Sequence, residues 1–244
     1  MGRAVLAVSG KDAERFLQDL VSNEIETMGQ EAVYAALLSP QGKYLFDFFV
    51  LRDGSGFWLD VKAERAPALA QRLAMYRLRA DVQIVASDLK VAQVLGVRPD
   101  GVRVVVDPRH AGLGWRVYGD RSAEIDLALR VKLGVPETGI ELIPEETYIL
   151  EAGFERLNGV SFKKGCYVGQ EVTARMKHKT ELRKGLVRVR LAQPVPVETP
   201  VLADGAEVGK MYSNAGGYGL AQLRLDRAKD ALVAGGVAVV LDPL

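Results

Sequence analysis

The residue best suited to chemistry is the single cysteine of this 244-residue chain, Cys166. Two glycines, Gly165 and Gly169, bracket it. Glycines at this spacing predict a tight loop whose backbone comes close to another group. Residues 170–176 predict the start of a helix, so the thiol would stand just before a helix N-terminus.

Two hypotheses for Cys166 stay open at this point. Lys163, Lys164 and the partial positive charge at the helix start would all favour a reactive, partly exposed thiolate. The alternative is a small buried hydrophobic side chain, which is how most free cysteines behave. Flanking lysines are unfavourable in a core and argue against burial, whereas the usual behaviour of free cysteines argues for it. The sequence therefore does not decide between the two hypotheses.

Cysteine and histidine content limits what else the chain can do. A lone cysteine cannot form an intrachain disulfide, and it cannot hold an iron–sulfur cluster alone, since such clusters normally take four thiolates. The two histidines, His110 and His178, are far apart with no partner at ligand spacing, so no metal site is expected. With no targeting or membrane-spanning segment visible, we expect a cytoplasmic protein without membrane contact.

Charge is nearly balanced overall but not locally. The formal net charge is +1, which points to neither nucleic acid nor membrane as a partner. Residues 162–190, however, carry nine Lys or Arg and two Glu. Such a stretch could bind an anionic ligand tail or RNA phosphates, or it could be an ordinary solvated surface. Few aromatic residues interleave with these charges, so stacking on single-stranded RNA is not supported.

The order of elements predicts an α+β fold with mainly antiparallel sheet. Hairpin turns at 39–42 and 52–56 separate predicted strands, and helical spacing predicts helices over 12–21, 63–78 and 122–133. The composition changes near residue 185. Short strands between turns then predict a small C-terminal β-barrel, which divides the chain into regions 1–185 and 186–244.

A signature surrounds the cysteine. The chain resembles the YgfZ family, whose eight-residue signature KGCYxGQE it matches in order over residues 164–171. The matching residues are Lys164, Gly165, Cys166, Tyr167, Gly169, Gln170 and Glu171, and Arg175 follows. Stretches from residue 10 to residue 216 resemble the same family in order, so the resemblance covers nearly the whole chain.

The resemblance implies a fold and a function. YgfZ proteins are similar in fold to the T-protein of the glycine cleavage system, a tetrahydrofolate-dependent aminomethyltransferase. This implies a folate-binding α+β region around a central opening, followed by a β-barrel. It implies tetrahydrofolate as cofactor, with Asn23, Asp47 and Arg130 as contacts. It also implies support of iron–sulfur enzymes or assembly proteins and of tRNA modification, with Cys166 as the functional residue at the rim of the opening.

Three departures from the related patterns bear on activity. T-proteins have two consecutive aspartates where this chain has Phe46 and Asp47, and a pterin-gripping glutamate where it has Lys132. A cation cannot accept hydrogen bonds from pterin N–H groups. Thr180 stands where relatives often have glycine, which affects local loop geometry.

The departures favour an accessory factor over an enzyme and leave two further hypotheses. One is a folate-dependent aminomethyl- or methyltransferase, with Asp47 as general base or charge stabiliser. The other is direct tRNA binding through the basic stretch 162–190.

Overall fold

The computed structural model describes residues 2–179, 182–228 and 231–243. Thr180 lies outside these residues. The strands are β1 (Arg3–Ser9), β2 (Val33–Leu38), β3 (Tyr44–Asp53), β4 (Gly56–Lys62), β5 (Gln83–Ser87), β6 (Lys90–Val94), β7 (Arg103–Val106), β8 (Trp115–Gly119), β9 (Lys184–Leu191), β10 (Pro200–Ala203), β11 (Ala206–Ala215), β12 (Tyr218–Arg224), β13 (Leu232–Ala234) and β14 (Val237–Leu241). The helices are α1 (Ala13–Gln18), α2 (Ala66–Arg77), α3 (Leu127–Lys132) and α4 (Gln170–Lys179).

A five-stranded sheet in the order β2-β3-β4-β1-β5 forms the centre of the first region. All its pairs are antiparallel. Consecutive side chains of a strand point to opposite faces, so Phe48 and Phe49 enter different cores. Helices α1 and α2 cover the Phe48 face through Leu17, Leu69 and Leu73.

The second face of this sheet packs on a smaller sheet and a turn-rich segment. The smaller sheet has the order β6-β8-β7, and Tyr118 of β8 is fully buried beside Phe49. Residues 133–169 make turns and no strand, but they contribute Leu142, Phe154 and Leu157 to the same core. The chain therefore closes one side of the central sheet without regular structure.

The C-terminal region is a closed barrel in the order β10-β11-β12-β9-β14-β13. Val189, Met211 and Leu232 are among the residues that fill its interior. Helix α3 leads toward it: Nη2 of the buried Arg130 donates to Oγ of Ser213 in β11 over 2.5 Å. The α+β fold with antiparallel sheets and a C-terminal barrel is thus confirmed. The division into regions 1–185 and 186–244 as separate domains stays a prediction.

Several predicted elements change their bounds. The helix predicted over 122–133 is one short helix, α3, because residues 120–126 run as an extended segment in which Ala123 bridges to Ala92 of β6. The helix predicted over 12–21 ends at Gln18, and Val21 instead bridges to Leu37. Strands β10 and β13 were not predicted, since each has only three or four residues.

Candidate functional site

The signature segment forms a loop followed by helix α4, as its glycines and its helical pattern predict. Helix α4 begins at Gln170, four residues after the cysteine. Cys166 itself is exposed. This agrees with the reactive-thiol hypothesis and contradicts the hypothesis of a buried hydrophobic side chain. Gly165 beside it is also exposed, whereas Tyr167 is buried in the second core. The loop therefore presents its sulfur outward while its neighbour fixes it to the protein.

Lys164 anchors this loop from inside. Its Nζ donates to the backbone carbonyls of Gln18 at 2.6 Å, Val21 at 2.6 Å and Asn23 at 3.1 Å. Burial lowers the pKa of Lys164 to about 8, although nearby acids oppose the effect. We expected the charge of Lys164 to stabilise a thiolate at Cys166, and this expectation is corrected. The ammonium group instead points toward the end of α1 and the segment after it, where backbone carbonyls without a helical partner accept its hydrogen bonds.

Gly169 is the second anchor, and its type is required by geometry. Its φ is +82°, and a Cβ there would lie 2.6 Å from the carbonyl oxygen of Ser39. Gly42 of the same β2–β3 turn also has positive φ, at +74°. At Gly165 the situation differs: a Cβ would meet no described atom within 4 Å. Only the second glycine of the motif is explained by close backbone approach.

The remaining signature residues lie on α4 at the surface. Arg175 pairs with Glu171 one turn earlier over 2.9 Å, and both side chains are mostly exposed. Gln170 turns back to the carbonyl of Gly165 over 3.3 Å. Exposed pairs of this kind contribute little to stability, about 0.3–0.5 kcal/mol. These residues therefore shape the surface around Cys166 more than they hold the fold.

Asp47, one of the three predicted folate contacts, is buried on β3 and fully engaged. Its Oδ2 accepts from Tyr34 at 3.0 Å, and its Oδ1 accepts from Tyr44 at 2.6 Å and Thr138 at 2.5 Å. Burial, together with the Asp47 charge, raises the pKa of both tyrosines well above the usual value. The phenols therefore stay neutral donors to this carboxylate.

Asn23 and Arg130, the other two predicted contacts, also have structural partners. Nδ2 of Asn23 donates to the carbonyls of Tyr34 at 2.8 Å and Asn158 at 2.7 Å, which uses both amide hydrogens. Arg130 donates to the carbonyl of Val135 and to Glu141. Each of the three predicted contacts thus has partners within the protein, and their role in folate binding stays a prediction.

A cavity of about 220 Å³ lies where β1, β4, β6 and the approach to α3 meet. Arg130 lines it, whereas Asn23, Asp47 and the segment 160–175 do not, so Cys166 does not stand at the rim of this opening. Its basic lining residues are Arg3, Lys62, Arg109, Arg116 and Arg130, its acidic ones Glu124 and Glu137, and its apolar ones include Val91, Leu113, Ile125, Leu127 and Ile140.

Three of the arginines that line the cavity form a cluster with two buried aspartates, Asp60 and Asp107. Asp60 accepts from Arg3, from Arg116 and from the hydroxyl of Tyr118. Asp107 accepts from Arg109 at 2.8 Å and from Arg116 at 3.1 Å. Burial by itself raises the pKa of the Asp107 carboxyl, but the two arginines more than offset this and hold it below its usual range.

The residues of this cluster are not among the site residues expected from the sequence. A signal was present, because Asp60 and Arg116 each interrupt an otherwise apolar or aromatic strand. A single charge inside a buried strand requires a partner of opposite sign. What the sequence lacks is the pairing itself, since Arg116 and Asp60 are 56 residues apart.

Metal and membrane features are absent from the described part of the chain. Within residues 2–179, 182–228 and 231–243, no group of three or more His, Cys, Asp or Glu side chains is placed to hold a metal ion. Over the same ranges, no helix is long and apolar enough to cross a bilayer.

Known proteins similar to this chain decide its family. The human protein "Iron-sulfur cluster assembly factor IBA57, mitochondrial" is 34% identical over 95% of this chain and 78% of its own length. The chain belongs to the IBA57 family. The mouse IBA57 is 33% identical with the same coverage, and the IBA57 homologue of Pyricularia oryzae is 30% identical over 98% of this chain and 74% of its own length. These relatives carry the IBA57 name, so membership of the YgfZ family stays a prediction.

Two further similarities concern the fold of this IBA57 family member. A family model described as the CAF17 C-terminal beta-barrel domain matches residues 183–243. The crystal structure of glycine cleavage system aminomethyltransferase T from Bartonella henselae superposes with a TM-score of 0.80, at 16% identity, over 99% of this chain and 83% of that one. The predicted T-protein-like fold is therefore confirmed, and at this identity the likeness shows the fold alone.

The expected localisation needs correction. The IBA57 relatives from human, mouse and Pyricularia oryzae are all named as mitochondrial, which contradicts the expectation of a cytoplasmic protein. That expectation depended on the absence of a visible targeting segment, and this is a weaker criterion than the names of relatives covering most of the chain.

Proposed function

We propose that this chain is an iron–sulfur cluster assembly factor in which Cys166 supplies one thiolate ligand to a cluster shared with a partner protein. The observation that carries the proposal is the outward-facing Cys166 on a loop anchored by Lys164, Tyr167 and Gly169. The names of the IBA57 relatives, which call them assembly factors, support the same function.

The chemistry of the cargo explains why a partner is required. Iron–sulfur clusters normally take four thiolates, and this chain has one cysteine. Cys166 loses its thiol proton when it binds iron, and the partner provides the remaining ligands. An exposed sulfur on an anchored loop suits such a shared site, because the partner can approach it without rearranging the fold.

We propose further that the chain binds a reduced folate through the cavity. Apolar side chains such as Leu113, Ile125 and Ile140 can contact a ring face, and Arg3 and Arg109 can donate hydrogen bonds. At about 220 Å³ the cavity is smaller than the roughly 300–1,000 Å³ of pockets that bury a drug-sized ligand, so one end of the folate would enter. A bound reduced folate would supply ring nitrogens able to carry a one-carbon unit.

A second candidate is a folate-dependent aminomethyl- or methyltransferase, which the likeness to aminomethyltransferase T favours. Its best general base, Asp47, is buried under three hydroxyl donors and does not line the cavity. This makes transfer chemistry the weaker proposal. Formation of methylene-tetrahydrofolate from a methylamine-loaded lipoyl carrier, lost in Asp47→Asn, would support it.

Support of tRNA-modifying enzymes belongs to the same proposal, since such enzymes can be iron–sulfur clients. Direct tRNA binding is less well supported, because three cations of the basic stretch already have partners within the protein. Lys164 points inward, while Arg188 and Arg190 both pair with Asp242 on the barrel. Binding that is absent, or insensitive to salt, would argue against it.

The cysteine role can be tested in cells that lack their own factor of this family. Wild-type protein, Cys166→Ala and the matched control Gly165→Ala are expressed, and the activity of an iron–sulfur client enzyme is measured. Cys166→Ala should lose nearly all support while its circular dichroism and urea unfolding match the wild type. Gly165→Ala should retain support, because the new Cβ meets open space.

Full support by Cys166→Ala would refute the cysteine role. A preliminary measurement checks its premise: a thiol reagent should alkylate Cys166 in the native protein. Reaction only after denaturation would contradict the exposed position.

A further inference from the structure

The cluster on the cavity wall contains one arginine more than it has aspartates. Arg3, Arg109 and Arg116 surround the ring of Phe49, with guanidinium carbons 5.1, 4.8 and 3.7 Å from its centre. Asp60 and Asp107 are their carboxylate partners, and neither is more than 1% exposed. Arg109 and Arg116 are buried, whereas the Arg3 side chain is 20% exposed, and all three line the cavity.

The phenols of the cluster do not supply the missing negative charge. Burial, reinforced by Asp60, raises the pKa of Tyr118, and burial also raises that of Tyr34. Both phenols stay neutral. Two other cations of the cavity are matched separately: Lys62 lies 3.4 Å from Glu137, and Arg130 lies 3.1 Å from Glu141.

Two of the three guanidinium groups have a free donor. Arg3 uses Nε and Nη2 on Asp60, and Arg109 uses Nε and Nη2 on Asp107. Nη1 of each donates to no residue that the structure describes, and both side chains line the cavity. Arg116, in contrast, has all three nitrogens engaged.

We infer that the cavity binds an oxyanion, a carboxylate or a phosphate, on Nη1 of Arg3 and Nη1 of Arg109. This rests on the proposed function in taking folate as the ligand, and it specifies which end enters: the glutamyl carboxylate faces the arginines. The alternative source of the oxyanion is a free inorganic anion. Two carboxylates line the same cavity: Glu137, which pairs with Lys62, and Glu124, which is exposed.

Calorimetry under anaerobic conditions separates the possibilities. The titrants are tetrahydrofolate, tetrahydropteroyl amide, in which an uncharged amide replaces the glutamyl group so that no carboxylate remains, and inorganic phosphate. The proteins are the wild type, Arg109→Gln, Arg3→Gln and the control Arg121→Gln, whose side chain is 88% exposed. In each cluster variant, the aspartate that loses its arginine still pairs with Arg116. Circular dichroism verifies the fold.

The expected result is that tetrahydropteroyl amide binds about 10- to 100-fold more weakly than tetrahydrofolate, as loss of charge-assisted hydrogen bonds predicts. Arg109→Gln should weaken tetrahydrofolate by a similar factor and leave tetrahydropteroyl amide unchanged, and Arg121→Gln should change neither. Phosphate should compete with tetrahydrofolate on the wild type, which tests the inference even if a cluster variant fails to fold.

Equal affinity for the two pterin compounds, or no competition by phosphate, would overturn the oxyanion site while leaving folate binding in place. Binding of phosphate alone, lost in Arg109→Gln, would uphold the oxyanion site and refute the folate proposal. Failure of all three titrants to bind the wild type would refute both.

Discussion

The signature loop and the arginine cluster stabilise buried cations in two different ways. In the loop, one buried lysine is satisfied by three backbone carbonyls, and the residue next but one, Cys166, is open to solvent. In the cluster, three arginines share two aspartates, Asp60 of β4 and Asp107 just after β7. The loop is one contiguous segment that exposes the sulfur of Cys166. The cluster combines residues that are far apart in the sequence, and its arginines line the cavity.

The two sites therefore differ in how many elements of the fold each one requires. The cluster needs β1, β4 and β8 in register, since its charges come from Arg3, Asp60 and Arg116. The loop needs its contacts with the end of α1 and the β2–β3 turn and the burial of Tyr167 in the second core. A mutation in the cluster should therefore act on global stability, and one in the loop on local geometry.

The largest effect is expected for Asp60→Ala. Removing this carboxylate leaves Arg3 and Arg116 without their buried partner, which should lower the free energy of unfolding by about 3–5 kcal/mol. Urea unfolding measures it, with Asp120→Ala as control, because that side chain is 95% exposed and should change stability by less than about 0.5 kcal/mol. Equal changes in the free energy of unfolding for both substitutions would show that the cluster does not stabilise the fold.

A smaller effect is expected for Gly169→Ala. The positive φ and the contact with the Ser39 carbonyl should together lower the free energy of unfolding by about 1–3 kcal/mol. The matched variant Gly165→Ala should lie within about 0.5 kcal/mol of the wild type. Equilibrium unfolding in urea distinguishes them, and an unchanged Gly169→Ala would remove the second anchor from the loop.

The smallest effect concerns the pH dependence of Lys164. Because its folded pKa of about 8 lies below the unfolded value, the unfolded chain binds more protons between pH 8 and 10.5. The cost of burying this ammonium is present below pH 8 and is relieved as pH rises through that window. Wild type should therefore gain stability relative to Lys164→Met from pH 8 to 10, as followed by urea unfolding. Parallel curves would contradict the burial of the charge.

The sequence predicted contiguous features well and distant ones poorly. The loop, the start of α4 and the α+β fold with its barrel followed from glycine spacing, helical pattern and strand–turn alternation. The cavity wall did not, because nothing in β4 indicates that Asp60 will meet Arg116 of β8. The inward direction of Lys164 was also not predicted. The sequence alone does not distinguish Lys163 from Lys164, because the carbonyls that bind Lys164 come from residues more than 140 positions earlier.

Arg130 has a consequence for how the chain can be divided. It contributes to the cavity wall, and it also holds Ser213 of the barrel, while the backbone N–H of Ser213 donates to Glu141. Cutting the chain ahead of β9 would leave a guanidinium and a carboxylate facing water at the edge of the cavity. The C-terminal strands thus help to fix one residue of the cavity wall, and a fragment without them would be a poor substitute in any ligand titration.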